Sequence, residues 1–195
     1  LTYSSFTYTD FSAVLEDNRK LRVSSCVTNT GDRVSDEVAQ IYGTAPASRV
    51  TKPLKQLLGF RRLKDILPGE TRKAEFMISI EEFRFYDVIS RTMMVEEGCY
   101  RIFAGPSSTQ PQLEAFVEIP GRKPGLRDLK KRIPADHYDD YENITLTEGH
   151  FGFTAALPVN TEKTGTLIYR SCRPEFGSKN AFFHLKSEKG GSLEL

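Results

Sequence analysis

Leu21, Val23, Ser25 and Val27 alternate with Arg22, Ser24, Cys26 and Thr28. A helix cannot hold a period of two on one side, whereas a strand with one face in a core and one in water requires it. The pattern returns throughout the first 120 residues. In "EVAQIYG" (37–43) Val38, Gln40 and Tyr42 share one face and Ala39 and Ile41 the other, and "RKAEFMISI" (72–80) lines up Ala74, Phe76, Ile78 and Ile80. Turn signals stand between these segments. "TNTGD" (28–32) holds Asn29, Gly31 and Asp32, which tolerate turn angles. "LPGET" (67–71) has Pro68 to preset φ and Gly69 at the permissive position. Ser79 followed by Glu82 is a capping-box pattern and predicts a short helical turn at "SIEEF". "GCYRIFAGPSS" (98–108) and "QLEAFVEI" (112–119) supply two further strands. Strands set apart by turns every ~8–12 residues, over ~100 residues, predict an all-β sandwich of two antiparallel sheets.

The stretch "KPLKQLLGFRRLKDILPGET" (52–71) needs its own decision. Lys52, Lys55, Arg61, Arg62 and Lys64 precede Asp65, and Leu54, Leu57 and Leu58 lie between them at helical spacing. A helix here would be broken by Gly59 and would lack a clear N-cap. Sandwich context favours a strand whose Lys and Arg residues line a solvated edge, where charge discourages strand-to-strand aggregation. A nucleic-acid surface would need basic excess and interleaved aromatics, but the net charge is +1. No nucleic-acid partner is expected. No membrane partner is expected either, since no apolar run approaches the roughly 18–20 residues of a span. "LTYSSFTYTD" has neither the basic start nor the apolar centre of a signal peptide, and no initiator Met. The chain therefore reads as a piece of something longer, and its compartment is not legible from its start.

Groups able to carry chemistry are scattered. Cys26, Cys99 and Cys172 are far apart, odd in number and outside metal-ligand spacing. They are expected to be unpaired thiols serving mostly as small apolar residues, which leans towards a cytoplasmic setting. His137, His150 and His184 form no cluster, so neither a metal nor a cofactor is expected. Glu81/Glu82, Glu96/Glu97 and Asp139/Asp140 are adjacent carboxylates. Neighbours in a strand point to opposite faces, so adjacency does not make a facing pair, and solvated surface charge is the expectation for all of them. No catalytic, cofactor-binding or metal residue is assigned. Phe83, Phe85 and Tyr86 are concentrated in "EEFRFYD", as core filling or, on the sharper view, as part of a face that docks on other domains.

"LTYSSFTYTDF", "VTNTGDRVSDEVAQIY", "KPLKQLLGFRRLKDILPGET", "FMISIEEFRFYD" and "VEEGCYRIFAGPSS" stand in the order found in the fibronectin type III-like domain of glycoside hydrolase family 3 enzymes, the β-glucosidases and β-xylosidases. The resemblance covers roughly residues 1–110 and implies an immunoglobulin-like, fibronectin type III-like β-sandwich. Retaining enzymes of that kind use two carboxyl groups across the sugar. In the family the nucleophilic Asp lies on a (β/α)₈ barrel and the acid/base Glu on the following α/β domain, both upstream of the position of Leu1. The resemblance thus implies a non-catalytic accessory unit that braces the catalytic domains of a hydrolase of terminal β-glycosidic bonds. A free-standing adhesion or protein-interaction module is the alternative, since fold alone does not set function.

Past residue 120 the composition changes. "GRKPGLRDLKKR" (121–132) holds six basic residues against Asp128 and reads as a solvated linker, with a helical turn conceivable at "LRDLKKR". Residues 133–195 resemble the first half of a family 6-like carbohydrate-binding module, a partial β-jelly-roll segment. "PADHYDDY" stands near an Ala-Glu-x-Tyr start, and "TGTLIYRSCRPEFGSKNAFFHL" near paired central strands, with Leu167, Tyr169 and Ser171 alternating with Ile168, Arg170 and Cys172. "EKGGS" (188–192) is then a hairpin turn. An oligo- or polysaccharide partner follows from this resemblance, with weak or no binding expected. Such modules stack aromatics on sugars, but the chain has no Trp, and "HFGFTAALPVN" (150–160) replaces the usual Gly-Asp-Trp segment. Asp136 stands where the family has an acidic residue near a structural calcium, without the later partners. Tyr169 and Phe151 could stack on a sugar, core packing being the first expectation for each. Asn143-Ile144-Thr145 fits a glycosylation sequon.

Overall fold

The computed structural model describes residues 4–148 and 154–172. The alternating segments become strands β1 (Phe6–Glu16), β2 (Lys20–Asn29), β3 (Ser35–Thr44), β4 (Gln56–Ile66) and β5 (Thr71–Ser79). After them come β6 (Phe85–Asp87), β7 (Thr92–Met94), β8 (Gly98–Gly105) and β9 (Leu113–Ile119). A three-stranded sheet in the order β1-β2-β5 faces a four-stranded sheet in the order β4-β3-β8-β9, all neighbours antiparallel. This is a β-sandwich. The hairpin β6–β7 stands apart from both sheets.

The period of two is realised residue by residue. Leu21, Val23, Ser25, Val27 and Asn29 are all fully buried, while β3 turns Glu37, Ala39 and Ile41 inward. The facing sheets supply Ile66, Ala74, Ile78, Tyr100, Ile102 and Ile119 to one core. Each large aliphatic residue so buried contributes roughly 1.5–3 kcal/mol relative to exposure. Ser25 is the anomaly, because its Oγ is buried and finds no hydrogen-bond partner among the described residues. A hydroxyl desolvated without compensation costs on the order of 1–3 kcal/mol. Ser25→Ala is therefore expected to stabilise the chain by about 1 kcal/mol, read as a higher urea midpoint at unchanged slope; a lower midpoint would show that the hydroxyl is satisfied.

The turns follow their residue types. Gly69 has φ +79° behind Pro68, and Glu70 N–H donates to Leu67 O at 2.9 Å, closing the turn into β5. Ser79 Oγ accepts from Glu81 N–H and caps a single 3₁₀ turn, Ile80–Phe83, which seats Phe83 against Tyr100 with ring centroids 4.6 Å apart. The basic run is β4, an edge strand, with Arg61, Arg62 and Lys64 exposed. Its helical leucine spacing does not survive pairing to β3, whose register places Gly59 opposite Ile41.

One buried side chain ties several turns together. Asn29 Oδ1 accepts from Ser4 Oγ (2.7 Å) and Gly31 N–H (3.0 Å), and its Nδ2 donates to Arg33 O (2.7 Å) and Ile66 O (2.8 Å). The backbone of the same residue accepts from Gly69 N–H and donates to Glu70 O. Gly31 is required here because a Cβ on it would overlap Ser4 Oγ. Elsewhere in the core Tyr8 Oη donates to buried Glu37 at 2.7 Å, and burial followed by that contact pushes the phenol well above its usual range.

Downstream, β10 (Asp140–Glu142) pairs with β13 (Thr166–Ile168), and β11 (Ile144–Glu148) with β12 (Thr154–Pro158), each pair antiparallel. The alternation expected through residue 172 is cut short at Ile168. Arg170 N–H turns aside to Asp139 at 2.6 Å, and Ser171 takes a left-handed φ of +60°. At "LRDLKKR" there is a single turn, Lys131 N–H to Asp128 O, and no helix. All of "RPEFGSKNAFFHL" (173–185) and of "EKGGS" lies outside the described residues, as do Phe151, His150 and His184.

Candidate functional site

The loop of residues 45–55 joins β3 to β4 across one end of the sandwich, and it is held from below. Ser48 Oγ donates to Glu96 Oε2 at 2.5 Å and Arg49 N–H to Oε1 at 3.1 Å, while Tyr100 Oη donates to the Glu96 carbonyl at 2.8 Å. This fastening buries the Arg49 side chain, which bonds through one Nη to Asp87 and through the other to Asp139. Both aspartates have fully buried side chains. Asp87 also accepts from Ser90 N–H at 2.8 Å. Burial pushes its carboxyl up, but the Ser90 hydrogen bonds and Arg49 outweigh it and hold it below the usual aspartate value.

Asp139 belongs to the downstream segment, so Arg49 is a bridge. The second oxygen of Asp139 accepts from Arg127 Nη2 (2.8 Å) and Arg170 N–H (2.6 Å). Arg170 returns the connection, donating to Arg49 O and to Asp140, each at 2.9 Å, and Thr51 Oγ1 donates to Asp140 at 2.9 Å. Hydrogen bonds from Thr51 and then from the Tyr141 backbone keep the Asp140 carboxyl below its usual range. A buried charge is tolerable only when its partners are complete. The network satisfies Asp87 and Asp139 in that way, and it couples Arg127, Asp139, Asp140 and Arg170 to the sandwich.

Beside the network lies a cleft of about 760 Å³, whose lining includes Lys52, Lys55, Arg101, Phe103 and Arg170. Lys52 Nζ sits 4.3 Å from the Phe85 ring centre and Lys55 Nζ 5.4 Å from that of Phe103. Burial lowers the Lys52 pKa, partly opposed by Glu96. Burial and then Glu96 push the Tyr100 phenol up to about 12.

The carboxylates singled out by adjacency divide into two kinds. Glu81 and Glu82 are exposed, as expected, and Glu97 reaches Lys123 at 3.0 Å on the surface. Glu96 and Asp139 are buried, contrary to the expectation of solvated charge, because hydrogen-bond donors from loop 45–55 and from arginines replace water around them. Arg127 corrects the reading of 121–132 in the same way: its buried guanidinium meets Asp139 and lies 5.3 Å from the centre of Tyr169. Arg122 adds backbone bonds to Val95 and Glu97. Tyr169 Oη donates to Ala135 O at 3.1 Å, so the ring is committed to packing. Asn143, at φ +51°, donates to Asn160 O and Lys163 O and accepts from Asn160 N–H, which makes the sequon asparagine a turn anchor. Asp136 and His137 stand on a short 3₁₀ turn, Asp136 exposed. The cysteines are free thiols, but Cys26 and Cys99 are only half-buried on strand faces and Cys172 is exposed, so none serves as a core residue. Phe83 is core, Phe85 half-buried and Tyr86 exposed. Nothing local in the sequence singles out Arg49, Asp87, Arg127 or Arg170. No periodicity marks them, since their partners are 12 to 121 residues away.

The sandwich has counterparts among known proteins. Residues 37–108 match the fibronectin type III-like domain. The chain is 34% identical over 121 residues to probable beta-glucosidase K of Emericella nidulans, covering 61% of the chain and 14% of that protein. It is 31% identical over 122 residues to thermostable beta-glucosidase B of Acetivibrio thermocellus, covering 61% of the chain and 16% of that protein. Among solved structures, a GH3 beta-glucosidase from Bifidobacterium adolescentis superposes with a TM-score of 0.59 at 26% identity, over 65% of this chain and 19% of that one. The chain thus spans about a seventh of the length of the relatives it matches. The matched residues 37–108 include loop 45–55, Asp87 and Glu96, so the sandwich side of the arginine network falls within the matched stretch.

Proposed function

We propose that this chain is the non-catalytic accessory part of a family 3 glycoside hydrolase of the β-glucosidase or β-xylosidase type, and that it braces that enzyme's catalytic domains. The observation that carries this reading is the match itself: one β-sandwich, aligned over most of its length with β-glucosidases several times longer. The chemistry of the chain agrees with it. Retaining hydrolysis needs two carboxyl groups open to a sugar, but Asp87 and Asp139 have their oxygens committed to Arg49, Arg127 and backbone N–H groups. Exposed Leu54, Phe60 and Phe116 leave apolar surface for contact with neighbouring domains. Among the described residues past 133, Asp139, Asp140 and Arg170 tie the segment to the sandwich, and Tyr169, one of the two rings able to stack on a sugar, is engaged in packing.

The full-length product of the reading frame is the test. It should hydrolyse an aryl β-glucoside or β-xyloside, and removing residues 1–120 should cut its activity at least about tenfold and lower its Tm by several degrees, as loss of a packed interface does. Unchanged activity and Tm after removal, or a reading frame with no glycosidase upstream, would overturn the proposal.

A further inference from the structure

An antiparallel sheet that packs one face on a core ordinarily turns polar side chains outward on the other. The three-stranded sheet follows this rule. Its outer face carries Arg22, Ser24, Lys73 and Glu75, with Val14 and Met77 together at one end. The four-stranded sheet breaks it. Register places Leu57, Tyr42 and Phe103 side by side across β4, β3 and β8, with Phe60 on one side of that row and Phe116 on the other. Leu57, Phe60 and Phe116 are 49%, 69% and 61% exposed. Tyr42 and Phe103 are buried, yet neither belongs to the core between the sheets. The arginines of this face are answered within the chain, Arg62 by Asp36 and Arg101 by Glu114. The result is aromatic and apolar surface with its arginine charges compensated, the composition of an interface centre.

The spacing of the rings says what kind of partner fits. Phe60 and Phe116 stand on the two edge strands, three strand spacings or ~14 Å apart across the sheet. Phe103 lies between them and is capped by Lys55 and Arg101, at 5.4 and 4.7 Å from its ring centre. Among the described residues the face thus has no unbroken row of open rings for a polysaccharide to stack on, whereas a broad folded surface can cover both edges at once. The relatives that share the sandwich are several times longer than the chain, which supplies an occupant of that size. We propose that the outer face of the β4-β3-β8-β9 sheet is the side on which the catalytic domains of the parent hydrolase rest, anchored by Phe60 and Phe116, and that the outer face of β1-β2-β5 stays in water. The occupant rests on the accessory reading above; the choice of face rests on the register and exposure of the two sheets.

Hydroxyl-radical footprinting of the 195-residue chain and of the full-length product of the reading frame tests this, because side-chain oxidation follows exposure. In the 195-residue chain Phe60, Phe116 and Met77 should all be oxidised readily, each being more than half exposed. In the full-length protein Phe60 and Phe116 should react roughly tenfold more slowly or less, as rings in a dry interface centre do, while Met77 keeps its rate. Phe60→Thr combined with Phe116→Thr should leave the Tm of the 195-residue chain nearly unchanged, since both rings stand in water there. The same pair should lower the full-length Tm by several degrees. Equal oxidation of the two rings in both proteins, protection of Met77 in their place, or an unchanged full-length Tm in the double variant would each overturn the choice of face. Protection that grows with the concentration of the 195-residue chain would give the face to a second copy and overturn the proposal as well. Glycosidase activity reports the accessory role and the footprint reports the face. An active full-length enzyme with both rings open therefore refutes the face alone, and a reading frame with no glycosidase upstream removes the occupant whatever the footprint.

Discussion

Arg49→Met is expected to cost about 3–5 kcal/mol, because it strands Asp87 and Asp139 in a buried site without their shared counter-charge. That is a large share of the roughly 5–15 kcal/mol that holds a domain together. Arg49→Lys should rescue little, since one ammonium cannot reproduce a planar fork bonded to two carboxylates. Replacing Asp87 and Asp139 by Asn in the Met background should recover part of the loss by removing the stranded charges. The measurement is a urea melt of the four chains, with proteolysis across residues 121–134 as a second readout, because the same arginine tethers the downstream segment. A midpoint unchanged in Arg49→Met would sink the account. The pH dependence has a definite sign. Asp87 titrates lower in the folded chain than in the unfolded one, so its contribution is complete above the ordinary aspartate value of about 3.9 and is lost as the pH falls below it. Arg49→Met should flatten that part of the acid limb.

Asn29→Ala ranks next, at about 3 kcal/mol or more. It removes hydrogen bonds to Ser4, Gly31, Arg33 and Ile66 at once and leaves the Ile66 carbonyl, in a fully buried residue, unpaired. Asn29→Asp should not rescue it: the acceptor half survives, but a carboxylate would then face the carbonyls of Arg33 and Ile66. Thermal unfolding of both variants checks this, and an Asp variant as stable as the parent would mean that the Nδ2 bonds contribute nothing. The loss should be global, since this one side chain fastens the start of β1, the 29–33 turn and the end of β4 in a single site.

Much of this could be anticipated from residue order. The burial of Leu21, Val23, Ser25 and Val27, the Pro68–Gly69 turn and the 3₁₀ turn after Ser79 are local matters, dictated by side-chain alternation, φ preference and a capping hydroxyl. Even the basic run could be assigned, because Gly59 and the missing cap argue against a helix before any partner strand is known. The buried acids were not accessible in the same way. Asp139 and Glu96 look like ordinary surface carboxylates until Arg49 and Ser48 arrive from 90 and 48 residues away, and Lys52 looks like one more edge lysine until Phe85 closes over it.

Residue order settles what a segment of about ten residues must do with its apolar face, and for this chain that is enough to require two packed sheets. Which charges leave water is settled only when distant loops meet, because the free energy of a charged group depends on the donors and dielectric around it, and those belong to the folded arrangement. The sandwich is accordingly written in local pattern, while the arginine network exists only in the assembled fold.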